Sequence, residues 1–296
     1  MSATAVVALA LALAAAITPL STTPLSTTPP PPPMPLPAAG QFDYQLGGGY
    51  TPPTGVTIVT RDSTDSPVAS TGAGAATYNI CYINGFQTQD GDRKFWLKKH
   101  PTLILHHKVH EKTKSGKTKT VSKPVTDPGW PDEMLLDSST AKKRTAIAAI
   151  MATTITLCAT KGFQAVEFDN LDSYSRSHHK LTLSNNIALA TLYVQTSHAD
   201  GLAAAQKNTT ELGSRGRDVI GFDFAVAEEC YRYRECSAYT KVYGDNVLAI
   251  EYTDNLRGTF AKACADPASP TRMILRDRNL TTPASRHYVY AACPPR

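Results

Sequence analysis

The sequence predicts an α/β chain that folds as a single (β/α)8 TIM-type barrel, and three observations lead there. Eight strand-like runs follow residue 41, helical runs lie between several of them, and polar side chains gather where the strands end. A doubly wound sheet usually has fewer strands and a Gly-rich phosphate turn, and no G-x-G-x-x-G follows a strand here. The run Gly47-Gly48-Gly49 leads into Tyr50 and Pro52, which makes a loop and not the start of a helix.

Taken in order, the strand-like runs are Phe42 to Leu46, Val56 to Arg61, Tyr78 to Ile83, Ala165 to Asp169, Ala203 to Lys207, Val219 to Val226, Val247 to Tyr252 and Arg272 to Leu275. Short apolar runs bounded by turn residues are what buried parallel strands require. Ser138-Ser139-Thr140 offers an N-cap for a helix from Ala141 to Lys161, in which Ala, Ile, Met and Leu recur at helical spacing. Thr182 or Ser184 opens a second helix that runs through Ala199, and Gly201 stops it. Between Arg93 and Lys123 the chain places ten of its thirty basic residues, together with four histidines. The Lys-Ser-Gly-Lys-Thr-Lys centre of this segment has no apolar period, so residues 93–124 read as a basic, solvated loop insert.

The front of the chain stands apart from the barrel. Residues 1–18 are rich in Ala and uncharged, and Ala14-Ala15-Ala16 offers a small-residue cleavage site, so they read as a signal peptide. The missing Lys or Arg in the n-region keeps an uncleaved anchor as the alternative. Residues 19–40 repeat Pro-Leu-Ser-Thr-Thr and then run through five prolines, the composition of a disordered, extended linker. The catalytic domain is placed at residues 41–296, and the protein is expected to be secreted or held at the cell surface. Six cysteines in an exported chain favour disulfides. Cys230 with Cys236 would staple a loop, and Cys264 with Cys293 would tie down the C-terminal tail. Cys81 and Cys158 read as buried thiols unless their elements touch. Asn208 and Asn279 head N-x-Thr sequons.

Chemistry concentrates at the strand ends. Glu167 and Asp169 share one face of their strand while Val166 and Phe168 take the other, and a second acidic cluster, Glu228-Glu229, follows the apolar run to Val226. On a barrel these meet at one mouth with Asp43 or Tyr44, Asp62, Tyr82, Asn84, Asn170, Lys207, Asn208, Glu251 and Tyr252. Carboxylates, amides and aromatic rings such as Trp130 in an open cleft suit a sugar, with rings stacking on pyranose faces and polar groups holding hydroxyls or amines. His106, His107 and His110 have the spacing of metal ligands but no Cys or carboxylate pattern beside them, so no metal is expected. No nucleotide, flavin or haem motif occurs, and no cofactor or nucleic-acid partner is inferred.

Ordered blocks across nearly all of residues 41–296 carry a resemblance. Trp130-Pro131-Asp132-Glu133, Gly162-Phe163 to Glu167-Phe168-Asp169-Asn170-Leu171-Asp172-Ser173-Tyr174, His198-Ala199-Asp200-Gly201-Leu202, Lys207-Asn208, Phe222 to Cys230 and Ile250-Glu251-Tyr252 resemble the endo-α-1,4-polygalactosaminidase family, glycoside hydrolase family 114. The resemblance implies a (β/α)8 barrel acting on α-1,4-linked galactosamine polymers, with Asp169 and Glu228 at the positions of the paired acids. The sequence departs from the family where Gln87, Gln89, Asp90 and Arg93 replace an acid and an Arg ahead of the basic insert.

Glycosidic cleavage needs one carboxylic acid to protonate the leaving oxygen and one carboxylate to attack the anomeric carbon or activate water. Asp169, at a rigid strand end, is assigned as nucleophile. Glu228 is assigned as acid/base, its pKa raised by Glu229 or Asp223. The reverse assignment stays open. Expected substrate contacts are Tyr44, Asp62, Tyr82, Trp130, Glu167, Asn170, Asp172, Tyr174, Lys207, Asn208, Glu251 and Tyr252, with Asp172 equally suited to capping a turn and Lys207 to serving as counter-ion. Seven acids would form a negative funnel for a polycation, and the basic insert should lie away from it unless the substrate is acetylated. Two other readings remain: a hydrolase of another α-linked sugar, and a non-catalytic carbohydrate-binding or wall-associated barrel.

Overall fold

Alternation of side chains along eight strands sorts the apolar residues into two layers. The computed structural model describes residues 32–69 and 76–295. The signal-peptide reading and most of the linker lie outside them. In chain order the elements are β1 (Gln41–Gln45), β2 (Val56–Asp62), β3 (Tyr78–Asn84), α1 (Arg93–Lys99), β4 (His106–Lys112), β5 (Thr118–Pro124), α2 (Ala141–Lys161), β6 (Ala165–Asp169), α3 (Leu183–Ala199), β7 (Ala203–Lys207), β8 (Phe224–Glu228), α4 (Cys230–Tyr233), α5 (Cys236–Tyr243), β9 (Val247–Tyr252), α6 (Phe260–Ala265), β10 (Arg272–Arg276) and β11 (Tyr290–Ala292). Eight strands pair in parallel in the order β1-β2-β3-β6-β7-β8-β9-β10, and β11 closes onto β10 antiparallel. Phe42, Ile58, Ile80, Ala165, Ala205, Val226, Ile250 and Ile274 fill the inside of the barrel. Their strand neighbours Cys81, Val166, Phe168, Ala204, Ala225 and Ala249 point outward against Ile147, Met151 and Ile155 of α2 and Leu189 and Tyr193 of α3. This is the period of two expected for strands between a core and a layer of helices.

The two long helices start and stop where the sequence places them. Thr140 caps α2 by accepting from the Lys143 backbone N–H, and Gly162 ends it at φ 92°. Thr182 and Asn185 form a reciprocal capping box on α3.

Four readings need correction. The run from Val219 to Val226 is not one strand: Gly216–Ile220 coils into a short π-helical turn, Gly221 breaks the extended path at φ 93°, and β8 starts only at Phe224. Residues 93–124 are not a loop but α1 followed by the β4–β5 hairpin, paired from His106↔Pro124 to Lys112↔Thr118. Cys81 and Cys158 are not thiols; β3 and α2 touch, and the two join in a disulfide, as do Cys230 with Cys236 and Cys264 with Cys293. The end of the proline-rich tract is also part of the fold. Leu36 is buried, the Met34 carbonyl accepts from the Tyr78 hydroxyl, and the Pro37 carbonyl accepts from Arg272.

The barrel has one seam. β1 and β10 are neighbours in space but are not hydrogen-bonded to each other, and Arg276 bridges them. Its guanidinium is fully buried, sits 2.9 Å from Asp43, and donates to the backbone carbonyls of Tyr44, Thr281 and Val289. Asp43 also accepts from Gln45 and Tyr50, so every buried oxygen of that carboxylate has a partner. Removing one member of such a pair leaves an uncompensated buried charge. Arg276→Met is therefore expected to lower unfolding free energy by about 3–5 kcal/mol, measured by urea denaturation. The double variant Asp43→Asn/Arg276→Met should recover a large part of that loss.

Candidate active site

The last inward-facing position of each central strand lands at the same end of the barrel. Parity alone brings together Asn84 from β3, Asp169 from β6, Lys207 from β7, Glu228 from β8 and Tyr252 from β9, with Tyr82 and Glu167 one inward position earlier on their strands and Tyr44 of β1 beside Glu167. At the centre stands Lys207, whose side chain is 1% exposed. Its Nζ lies 3.0 Å from Glu228 Oε2, 3.2 Å from Asp169 Oδ2 and 3.6 Å from Glu167 Oε1. Three tyrosine hydroxyls complete the shell: Tyr82 donates to Asp169 at 2.8 Å, Tyr44 to Glu167 at 2.6 Å, and Tyr252 to Glu228. Asn208 donates to Glu228 Oε2 at 3.1 Å and accepts from the Glu228 backbone N–H at 2.8 Å.

These contacts set the protonation of the site. Burial and the nearby carboxylates push the phenols of Tyr44, Tyr82 and Tyr252 up, so all three stay donors. Burial pulls the Lys207 ammonium down, but Asp169, Glu228 and Glu167 outweigh it and hold it charged. Burial raises the Glu167 carboxyl to about 7 against the opposing pull of Lys207 and Tyr44. For Glu228 the balance reverses: burial pushes its pKa up, and Lys207, Tyr252 and Asn208 together hold it below the usual carboxylate range.

That result corrects the expectation that Glu229 or Asp223 raises the Glu228 pKa. Glu229 adopts φ 56°, turns to the rim and pairs with Arg278 at 2.8 Å, while Asp223 binds His198 and the Ala204 backbone N–H.

Several predicted contacts lie elsewhere. Tyr44 and Glu167 are fully buried beneath Lys207 and do not face the cleft. Glu251 falls on the outward parity of β9, where it accepts from the backbone N–H groups of Tyr231 and Arg232 and holds the loop after β8; burial raises its pKa to about 7. Asp172 pairs with Arg176 at 2.9 Å on the rim. Tyr174 packs against Leu105, Val125, Leu135 and Leu181 at the base of the hairpin. Asp62 binds Thr64 and Gln89 beside a cavity of about 740 Å³ that is also lined by Asp92, Phe95 and Met151. Trp130 is 66% exposed on the loop after the hairpin. Asn170 and Asn84 do reach the mouth and bond to each other at 2.9 Å. The expected funnel of seven acids is thereby reduced, because Asp172, Asp223, Glu229 and Glu251 are all engaged away from the cleft.

Sequence reasoning missed two contributors. Glu133 arrives from the loop after the hairpin and accepts from Asn84 at 2.8 Å and Gln87 at 3.0 Å, and burial raises its pKa. Arg176 ties the rim together through Asn170, Gln87, Asp127 and Asp172. Glu133 stood inside a recognised motif block, but nothing local in the sequence signals Arg176. The hairpin belongs to the connection from β3 to α2, which starts at the mouth end of β3, while the expectation had the insert lie away from the acidic mouth or else the substrate be acetylated. His107 stacks on His178 at 4.5 Å, and among the described residues no hairpin lysine bonds to a mouth carboxylate. His107 and the pair His106/His110 lie on opposite faces of β4, and among the described residues no cluster of three ligands is placed to hold a metal ion.

Comparison with known proteins adds three findings. The model of glycoside-hydrolase family GH114 matches residues 23–294. The crystal structure of Aspergillus fumigatus Ega3 in complex with galactosamine superposes with a TM-score of 0.60 at 19% identity, covering 86% of this chain and 95% of that one. The glycoside hydrolase domain of PelA from Pseudomonas aeruginosa superposes with a TM-score of 0.54 at 13% identity, covering 86% and 98%. No curated protein matches the sequence.

Replacing the central cation tests the electrostatics independently of any activity. Lys207→Met leaves Glu167, Asp169 and Glu228 without a counter-charge, and at pH 7 a loss of about 3–5 kcal/mol is expected. In the parent, the lowered Glu228 pKa contributes stability that is present above its ordinary value of 4.5 and is lost as pH falls through the folded value. In the variant the carboxyls shift upward, so its stability declines as pH rises. The difference in thermal midpoint between the two proteins should therefore shrink toward pH 4.

Proposed function

The chain belongs to glycoside-hydrolase family GH114 and is a glycoside hydrolase, and we propose that it is a secreted enzyme that cleaves α-1,4-linked galactosamine polymers using Asp169 and Glu228. The observation that carries the reading is the Lys207 bridge, which holds these two carboxylates at one mouth, each partly exposed, over a fully buried third acid. A neighbour in fold was crystallised with galactosamine, and three disulfides suit an oxidising compartment.

The oxygens that meet Lys207 are separated by no more than its two contacts laid end to end. That span falls short of the roughly 6.5 Å at which inverting sites begin, and it supports double displacement with retention. Asp169 Oδ1 or Oδ2 attacks the anomeric carbon as the glycosidic bond breaks, and the departing oxygen takes a proton from Glu228. Water then adds to the glycosyl–Asp169 ester, giving its proton to Glu228 and releasing the sugar with a free reducing end. Lys207 offsets the charge on the pair throughout, and Tyr82 fixes the Asp169 carboxylate by its hydroxyl. Glu228 is ionised in the open site. A sugar ring seated over it removes the remaining water and favours the neutral, proton-bearing carboxyl that the first step requires.

The reverse assignment draws support from the lowered Glu228 pKa, which suits a nucleophile. Azide separates the two. For a retaining enzyme acting on an α-linkage, azide added to the variant lacking its nucleophile yields a β-glycosyl azide, and azide added to the variant lacking its acid/base yields an α-glycosyl azide. Asp169→Ala is expected to give the β product and Glu228→Ala the α product.

Charge supply at the mouth narrows the substrate. Arg176 and Arg278 neutralise Asp172 and Glu229, which leaves Asp169, Glu228 and Glu133 to meet a sugar ammonium. This favours a polymer of mixed acetylated and free-amine units, with a free amine near the point of cleavage. Incubation with partly de-N-acetylated α-1,4-galactosaminan should release oligomers of several sugars before monomer. Asp169→Asn should lower turnover at least about 10²-fold while polymer binding is kept. Absence of hydrolysis by the parent, or unchanged turnover in the variant, overturns the reading.

A further inference from the structure

The hairpin β4–β5 carries the chain's entire excess of positive charge. Between His106 and Pro124 there are six lysines against one glutamate, an excess equal to the formal net charge of +5 for the whole protein, so the remainder is balanced. The hairpin is held in place and is not a free tail. Leu105, Val125, Leu135 and Leu181 form a small core at its base, His107 stacks on His178, and the turn closes with Thr113 N–H donating to Lys117 at 2.8 Å and Gly116 at φ 77°.

Strand parity gives its two faces different chemistry. One face carries Val109, Val121, Lys119 and the Glu111–Lys123 ion pair, together with the His107 ring that stacks on His178. The other presents His106, Lys108, His110 and Lys112 along β4, with a basic or ionisable group about every 7 Å. Facing them across the ladder on β5 stand Ser122, Thr120 and Thr118, a row of exposed hydroxyls. This second face holds no carboxylate, and Lys114 and Lys117 extend its charge around the tip.

From this arrangement we infer that the outer face of the hairpin is a docking strip for an acidic polysaccharide. Regularly spaced cations meet carboxylate or sulfate groups along an extended chain, and the neighbouring hydroxyl row offers partners for sugar hydroxyls. Two features separate this occupant from other polyanions. The hairpin has no aromatic ring other than histidine on which bases could stack, and the strip has no apolar side chain beyond Pro124 with which to enter a lipid interface. Because the hairpin leaves the mouth face of the barrel, a bound acidic chain would hold the catalytic cleft beside it. The inference does not depend on the substrate assigned above.

The test uses the full secreted domain and polygalacturonate as the probe. The parent is expected to bind immobilised polygalacturonate at about 50 mM salt and to be released as salt rises. Lys108→Gln/Lys112→Gln/Lys117→Gln should bind at least tenfold more weakly. A charge-matched control, Lys142→Gln/Lys241→Gln/Lys262→Gln, should bind within twofold of the parent, and all three proteins should share one thermal midpoint. A single-stranded DNA oligonucleotide and vesicles of phosphatidylcholine with phosphatidylserine serve as competing probes. Equal weakening in the control triple, no loss in the hairpin triple, no binding by the parent, or tighter binding of the parent to DNA or vesicles would each overturn the inference.

Discussion

A single buried ammonium makes the interior of this barrel possible. Three inward carboxylates, two on β6 and one on β8, would repel one another and lose their hydration, a combination that drives such groups to bind protons. Lys207 sits within 3.6 Å of all three and helps hold the Glu228 carboxyl below the usual carboxylate range. Its stem needs room, and the sequence supplies it: β7 is Ala203-Ala204-Ala205 below Gln206 and Lys207, and β6 begins with Ala165. Small inward residues low in the barrel thus leave space for Tyr44, Glu167 and the lysine stem above them. Function at the rim depends on packing two layers down.

A second buried ion pair solves a different problem at the seam. Where β1 and β10 lack ladder hydrogen bonds, exposed backbone groups would otherwise be left inside the protein. Arg276 spans the gap with a planar fork that can satisfy several acceptors at once, three of them backbone carbonyls, while Asp43 balances its charge. The seam also explains why Asp43, at the start of the barrel, belongs to the frame and not to the mouth.

Parity made the centre of the site legible in the sequence. Asp169, Lys207, Glu228 and Tyr252 each end a short strand on the inward phase, Tyr82 lies one inward position before the end of β3, and counting by twos from the core residues places them together. The same count, applied to Val247, Ala249 and Glu251, puts Glu251 on the outer face; reading it only as the polar end of an apolar run misplaces it. Glu167 shares a face with Asp169 as the sequence indicates, but depth along the barrel is not encoded in parity, and one inward position lower, two residues earlier, means full burial. Arg176 and the path of Glu133 are set by long connections whose course depends on distant packing. The hairpin was hidden for another reason. Its strands are polar on both faces, so they lack the apolar alternation that marks a half-buried strand, although Val109 and Val121, the Thr-rich run from Thr118 to Thr120 and the central Ser-Gly were available as weaker turn and strand signals.

The two cations, buried in similar ways, also differ in kind, and the difference follows from what each must touch. Arg276 faces acceptors spread around one plane, which suits five donors in a rigid fork. Lys207 faces three carboxylates that rise from the two flanking strands at two depths, and a compact ammonium with three rotatable donors can meet them without a common plane. A guanidinium there would favour one carboxylate bidentately and displace another, changing the spacing of Asp169 and Glu228 as well as their charge. The spacing of Asp169 and Glu228 is therefore a property of the lysine that lies between them, and exchange of one cation for the other would preserve the charge while losing the geometry.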